Sequence, residues 1–424
     1  MVADMREMKD SGIKWVGEIP DGWYTMANKY VMGKIKHINP LYNGEDILSL
    51  TMNGVIVRDL DAGGKMPSSF DGYQTLYPGN LLMCLFDYDV TPRCIGLIRN
   101  HGVTSPAYSQ FKMNPGYSAH YYYYYYLMVD HTKALLHRAK NLRHSFTEDQ
   151  LGAIAVPVPP VKEQRAIAAF LDAKCAEIDA LSADIQSEID TLEAYKRSVI
   201  TEAVTKGLDK TVTMKDSGIK WVGEVPEHWG IYRMADIYAD RNERGNENLP
   251  LLSVSINSGV SDKELSDEEQ DRVFLRSEDK TKYKRVYPGD ITYNMMRAWQ
   301  GAFGAVRIDG MVSPAYVVAK PTGRVEIDSR YIEALIRSPM GIEEMNRYSY
   351  GIMDFRKRLY WPQFRTIKIC LPQLPEQQEI ADYIDSKAAE IDVIIKQKRD
   401  QLTTLTDYKK SIIYEYVTGK KEVV

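Results

Sequence analysis

Side chains able to do covalent chemistry are scattered along this chain rather than gathered. Asn39-Pro40-Leu41-Tyr42 falls one proline short of the Asn-Pro-Pro-Tyr methyl-transfer signature, and no Gly-rich loop for a methyl donor precedes it, so it reads as a turn. Gly63-Gly64-Lys65 lacks the upstream glycine of a phosphate loop and is followed by Met66 where Ser or Thr would hold magnesium. The seven histidines show no His-Glu-x-x-His or similar ligand spacing, and no Gly-x-Ser-x-Gly elbow occurs. The four cysteines, Cys84, Cys94, Cys175 and Cys370, lie far apart with no Cys-x-x-Cys, which suits a reducing cytoplasm rather than a zinc site or a disulfide framework. Acidic pairs sit in charged helical stretches, where a solvated face accounts for them. No catalytic site assembles from these residues, an informative silence in a chain of 424 residues.

At 424 residues the chain is too long for one ordinary core, and two or more domains are expected. A hydrophobic content of 44% with 26% charged residues describes a globular protein. There is no run of about 18 apolar residues for a membrane span, and the opening residues lack the apolar region of a secretion signal. The formal net charge of -4 argues against a protein coated in basic patches, yet charge is uneven: acidic side chains crowd Asp172–Glu193 and Ser261–Asp271, basic ones Arg272–Arg285 and Arg356–Arg365.

The chain starts over halfway along. MKDSGIKWVGE occurs at Met8–Glu18 and again at Met214–Glu224, each followed by aliphatic-Pro-acidic-x-Trp ending at Trp23 and Trp229. Tyr77-Pro78-Gly79 answers Tyr287-Pro288-Gly289, Ser105–Tyr108 recurs at Ser313–Tyr316, and Lys162–Asp179 matches Pro375–Asp392. The offset is 206 residues between Met8 and Met214, 208 between Ser105 and Ser313 and 213 between Ile167 and Ile380. Such a period is far beyond the roughly 20–50 residues of a solenoid, so two similar domains related by a pseudo-two-fold are expected. Near-identity at the ends with divergence between them describes a shared frame around two differently employed middles, with drift alone as the competing account.

Two elements must position those middles. Val161–Lys206 and Glu376–Thr418 contain no Gly or Pro and follow Pro159/Pro160 and Pro372/Pro375. Ile178, Leu181, Ile185, Leu192, Tyr195 and Val199 fall on 3,4 spacing, as do Ile391, Ile394, Leu405, Tyr408 and Ile412. This predicts two helices with narrow apolar seams, each needing a partner that the other copy supplies; two separate helical hairpins are the alternative. Ile47–Leu50, Asn80–Phe86, Ile95–Ile98, Tyr121–Val129, Leu251–Ile256, Asp290–Asn294 and Ala315–Ala319 read as short strands, the Tyr-rich run filling a core.

Variable middle, Pro-x-x-x-Glu-Gln and long helix, repeated twice, resembles the specificity subunit of type I restriction-modification systems over essentially the whole chain. The marks that carry this are Pro20/Trp23 and Pro226/Trp229, the two Ser-Pro-Ala-Tyr strands, Pro159–Gln164 and Pro372–Gln377, and, in the second copy, Asn294–Gly301 and Gly351–Phe364. The resemblance implies a mixed α/β (α+β) chain with two globular target-recognition domains joined by two long helices in an antiparallel coiled coil. Its boundaries would be 1–160 and 207–374 for the domains, 161–206 and 375–424 for the helices. Each domain would read half of a bipartite site in double-stranded DNA, and the helices would space the halves and recruit two methyltransferase (modification) subunits. Restriction subunits would join through them. The chain itself would be non-catalytic, with S-adenosylmethionine, ATP and magnesium held by partner subunits. A self-sufficient DNA-modifying enzyme and a coiled-coil scaffold without a DNA role are the competing readings.

On that basis candidate DNA contacts can be named. Asn294, Arg297, Trp299 and Gln300 follow a strand after a Pro-Gly turn, and Arg and Gln are types that pair bidentately with guanine and adenine. A core Trp299 and an ion-paired Arg297 are the plain alternative. Arg356, Lys357 and Arg358 align with Arg143 and His144, basic groups at the same point of both copies, for phosphate or base contact or simply for solvent. Asp87, Tyr88 and Arg93 occupy the first copy's loop at the place of Asn294–Gln300.

Overall fold

In each copy the shared opening words fold the same way because Asp-Ser-Gly makes an Asx turn. Asp10 Oδ1 accepts the Gly12 N–H at 3.0 Å, and Asp216 Oδ1 accepts the Gly218 N–H at 2.9 Å. Both glycines take positive φ, +69° and +67°, which other residues adopt only with strain. The computed structural model describes residues 6–61, 67–139, 144–246, 248–261, 282–351 and 357–423. The chain forms two compact units, Met1–Gln186 with Asp400–Val424, and Ser187–Arg399.

The first unit pairs Met8–Ile13 with Gly17–Pro20 and Tyr24–Ala27 with Ala155–Val158. Its four-stranded sheet runs Met32–Ile35, Ser109–Met113, Leu81–Met83, Ile95–Leu97. Gln74–Leu76 pairs with Gly102–Thr104, and Leu48–Thr51 with Gly54–Val57. The second unit repeats all five sheets. Met214–Asp216 joins Glu224–Pro226, and Gly230–Arg233 joins Lys368–Leu371. The four-stranded order is Tyr238–Asp240, Tyr316–Pro321, Ile291–Asn294, Phe303–Ala305. Lys284–Val286 pairs with Gly310–Val312, and Ser253–Ser255 with Gly259–Ser261. Every one of these pairings is antiparallel, so the mixture of helix and strand is of the α+β kind.

One expected strand is a helix. Ala119–His131 starts at Ser118, whose side chain accepts the Tyr121 N–H. Tyr121, Tyr122, Tyr124, Tyr125 and Tyr126 are all buried. A helix buried on every side has no apolar stripe, so neither a 3.6-residue nor a two-residue period shows, and the strand preference of tyrosine misleads.

The long helices are Val161–Lys206 and Leu374–Val417. Within the first unit Phe170 packs on Tyr416, ring centroids 4.3 Å apart, and Lys409 reaches Asp179. Within the second, Lys398 pairs with Glu188 and Lys196 with Asp392. Numbers rise on one helix as they fall on the other, which is antiparallel pairing. Seam membership differs from the spacing argument. Ile178, Ile185, Ile189, Ile391, Ile395 and Ile412 are buried, whereas Leu181 (48% exposed), Tyr195 (57%), Ile394 (42%) and Tyr408 (54%) face outward. The seam steps from 185 to 189 and from 391 to 395, and this four-residue step turns the neighbouring apolar positions off the contact line.

The Glu-Gln at the start of each long helix fastens the helix to its unit. Trp23 Nε1 donates to Glu163 at 2.9 Å and Trp229 Nε1 to Glu376 at 3.0 Å. The buried Gln164 donates to the Pro159 carbonyl at 2.8 Å and accepts the Ser118 N–H at 2.9 Å; Gln377 does the same with Pro372 and Asp328, both at 2.9 Å. The opposite helix closes the junction. Tyr121 donates its hydroxyl to the Val417 carbonyl at 2.8 Å, and Tyr331 to that of Val204 at 2.9 Å. Gly207 and Gly419 end the helices at φ +73° and +72°, and a Cβ on Gly419 would lie 2.9 Å from the Trp23 ring.

Replacing Gln164 by Leu strands one buried acceptor and one buried donor. Gln164→Leu should lower unfolding free energy by about 2–4 kcal/mol, and Gln377→Leu by a similar amount. Urea denaturation of the full-length variants measures this; losses below about 1 kcal/mol would mean that water replaces the amide.

Candidate nucleic-acid interface

The Pro-Gly turn expected before Asn294 exists, and the strand Ile291–Asn294 runs from it into a tight turn containing Ala298–Gln300. Asn294 is buried, and its Oδ1 accepts the Met296 N–H at 3.0 Å, so this amide shapes the turn. Trp299 is half-buried with its indole N–H on the Met296 carbonyl at 2.9 Å. Arg297 is half-buried and Gln300 exposed. The backbone at Met295 accepts the Leu359 N–H at 3.0 Å, which brings the segment Lys357–Arg358 alongside this turn. Lys357 donates to Asn346 Oδ1 at 3.0 Å and Arg358 is exposed. Arg356 lies outside the described residues, as does Arg143.

The first unit assembles the same junction from different side chains. Phe146 N–H donates to the Leu85 carbonyl at 2.8 Å, matching the Leu359–Met295 bond, so Asp87–Arg93 and His144 come together. Asp87 and His144 take φ of +48° and +40°, and His144 Nδ1 lies 2.9 Å from Asp89 Oδ2. Tyr88 is core: it packs edge-on against Phe146 at 5.1 Å, Lys133 Nζ sits 4.6 Å from its ring, and burial pushes its phenol well above the usual range. Arg93 is turned inward, donating to the carbonyls of Met52 (2.5 Å) and Ile95 (3.1 Å) and to the Tyr123 hydroxyl. Among the described residues, Gln300 and Arg358 are exposed candidates, and the His144 side chain is 43% exposed beside Asp89. Asn294, Tyr88 and Arg93 serve the frame.

The charge set around the shared Tyr-Pro-Gly turn also differs between units. Tyr287 lies between the guanidinium groups of Arg241 and Arg285, 4.5 and 4.7 Å from the ring, and donates to Glu243 at 2.7 Å. Asp290 beneath it is held 3.0 Å from Arg241, and burial pushes its carboxyl up. Tyr77, at the matching turn, lies between His37 and His101, centroids 5.5 and 5.8 Å away. Among the described residues no group of three or more His, Cys, Asp or Glu is placed to hold a metal, and no helix is long and apolar enough to cross a membrane.

Two of the expected strands, Ile47–Leu50 and Leu251–Ile256, form matching hairpins. Leu48-Ser49-Leu50-Thr51-Met52-Asn53 and Leu252-Ser253-Val254-Ser255-Ile256-Asn257 lie inside the divergent middles, and both end in exposed hairpin turns.

Burial of Tyr88 leads to a separable outcome. Tyr88→Ala should cost about 3–5 kcal/mol of stability, measured by thermal melting. Arg297→Ala should instead relax preference at one base pair by about 1–3 kcal/mol; a uniform loss across sequences would assign it to phosphate.

No family model matches the chain. The MjaVIII type I restriction enzyme specificity subunit of Methanocaldococcus jannaschii is 25% identical over 287 residues, 64% of this chain and 63% of that relative's length. The EcoBI type I specificity subunit of Escherichia coli is 25% identical over 450 residues, 98% of this chain and 90% of the relative. A solved structure described by the complex assembly and conformational transition of the type I R-M system superposes with a TM-score of 0.66. It is 13% identical, covering 95% of this chain and 99% of that one, and so shares its fold.

Proposed function

We propose that this chain, similar along its length to type I specificity subunits, is the non-catalytic DNA-reading subunit of a type I restriction-modification complex. Duplication with differentiation is the observation that carries the reading. Two units share five matching sheets and one junction, yet expose different side chains where their loops meet, as with Gln300 and Arg358 against His144 and Asp89. A pair of like frames with unlike surfaces suits an asymmetric, bipartite site in double-stranded DNA, where base-edge contacts specify and phosphate contacts set register.

The antiparallel helices act as the spacer between half-sites. Their outward apolar residues recur at the repeat offset, Leu181 with Ile394 and Tyr195 with Tyr408, which is the pattern two copies of one partner require. Those partners are two methyltransferase subunits, with restriction subunits joining through them. S-adenosylmethionine, ATP and magnesium belong to the partners, and the complex works in the cytoplasm, where its DNA lies.

Methylation sequencing of DNA from cells carrying the complete system tests this. One bipartite motif should appear, and exchanging the middle Trp23–Pro157 for that of a relative should change one half of it only. Insertion of a heptad into Lys162–Lys206 should lengthen the gap or abolish modification. Methyl transfer by the purified chain alone, or a gap indifferent to the insertion, would overturn the reading.

A further inference from the structure

Inside the divergent middles one ribbon is kept. Leu48–Thr51 with Gly54–Val57 and Ser253–Ser255 with Gly259–Ser261 are two-stranded antiparallel ribbons at the same place in each unit. Both lie flat on a glycine of the neighbouring sheet. A Cβ on Gly96 would come 2.5 Å from Val55 Cγ2, and one on Gly304 2.4 Å from the Val260 nitrogen. The turns project Asn53 and Asn257 into solvent, with Met52 63% exposed beside the former.

Each turn is pinned from outside by an arginine, and the two arginines come from unrelated places. Arg93, ahead of the strand Ile95–Leu97, donates to the Met52 carbonyl while its other nitrogens hold the Ile95 carbonyl and Tyr123. Arg337, at the end of the helix Ser329–Arg337, donates to the carbonyls of Ile256 (2.9 Å) and Asn257 (2.7 Å) and is itself held by Glu333 at 3.0 Å. A glycine follows each tip, Gly54 and Gly259, and Gly259 also leaves room for its guanidinium group. The two glycines take φ of +95° and +71°, and a Cβ on Gly259 would be 2.6 Å from Arg337 Nη1. Common descent does not explain two different residues doing one task; a shared need for an immobile tip does. Recognition demands such fixing, because a contacting group must be placed to within about half an ångström.

The ligand follows from the shape and chemistry of the tip. A two-stranded β-ribbon is one of the two elements that the major groove admits, and the asparagine amide matches the acceptor–donor edge of adenine. We propose that the two ribbons enter the major groove, one at each half-site, and that Asn53 and Asn257 hydrogen-bond to adenine edges there. Arg93 and Arg337 are positioning residues that hold the tips. This assignment rests on the DNA-reading function proposed above.

The test selects bound sequences from randomised duplexes with the full chain assembled with methyltransferase subunits. Asn53→Ala should lose roughly tenfold or more of the discrimination at one adenine of one half-site and leave the other half-site unchanged; Asn257→Ala should do the reverse. Arg93→Lys and Arg337→Lys keep the charge but lose the fork, so each should relax the same position as its asparagine with an unaltered salt dependence. Circular dichroism of all four variants checks the fold. Unchanged selection by both asparagine variants overturns the proposal, as does uniform weakening with a salt slope reduced by about one, the mark of a phosphate contact. A wild-type complex that selects no sequence at all removes the DNA-reading function itself, an outcome distinct from either.

Discussion

Everything in this molecule hangs on how a globular unit grips the ends of two helices. A tryptophan N–H meets a glutamate in the first turn of one helix, and a tyrosine hydroxyl meets a last-turn carbonyl of the other. Both contacts satisfy what helix ends need: a negative charge near the N-terminal dipole and a donor for an orphan carbonyl. The indole and phenol rings pack edge-on, centroids 6.4 and 6.3 Å apart in the two units, so the buried tyrosine and the tryptophan hold each other in place for these hydrogen bonds. Once that grip is set, the residues above it are released from holding the unit in place, and their divergence costs the frame nothing.

Legibility in the sequence follows the same division. The helices were readable because forty-odd residues without Gly or Pro admit little else, and the repeat exposed the frame because both units grip helices with one set of groups. Leu181 and Tyr195 show the limit of spacing arguments, since the line of contact drifts around a real helix and leaves periodic apolar residues outside. The tyrosine helix was hidden because burial on every face erases periodicity. Residue type suggests base readers but is silent about burial: Asn294 and Arg93 carry suitable groups but use them on backbone.

The two units also show how one scaffold can be given different electrical characters. One tyrosine is flanked by two guanidinium groups that are themselves paired with Glu243, Asp290 and Asp309, the other by two imidazole rings. The backbone of the turn is the same in both. Divergence here has changed the field while leaving the fold.

The order in which the protein is made gives the junction a further meaning. Tyr416 stacks on Phe170, and Tyr414 and Lys420 both donate to the carbonyl of Val16, at 3.3 and 3.0 Å. These residues are translated more than two hundred positions after the unit they complete. During synthesis, when domains ordinarily fold as they emerge, a unit whose closing segment Asp400–Val424 lies beyond Ser187–Arg399 keeps that part of its seam uncovered while the intervening unit is built. The unit's completion is therefore tied to chain made after its neighbour, and the helix Leu374–Val417 is what ends that exposure.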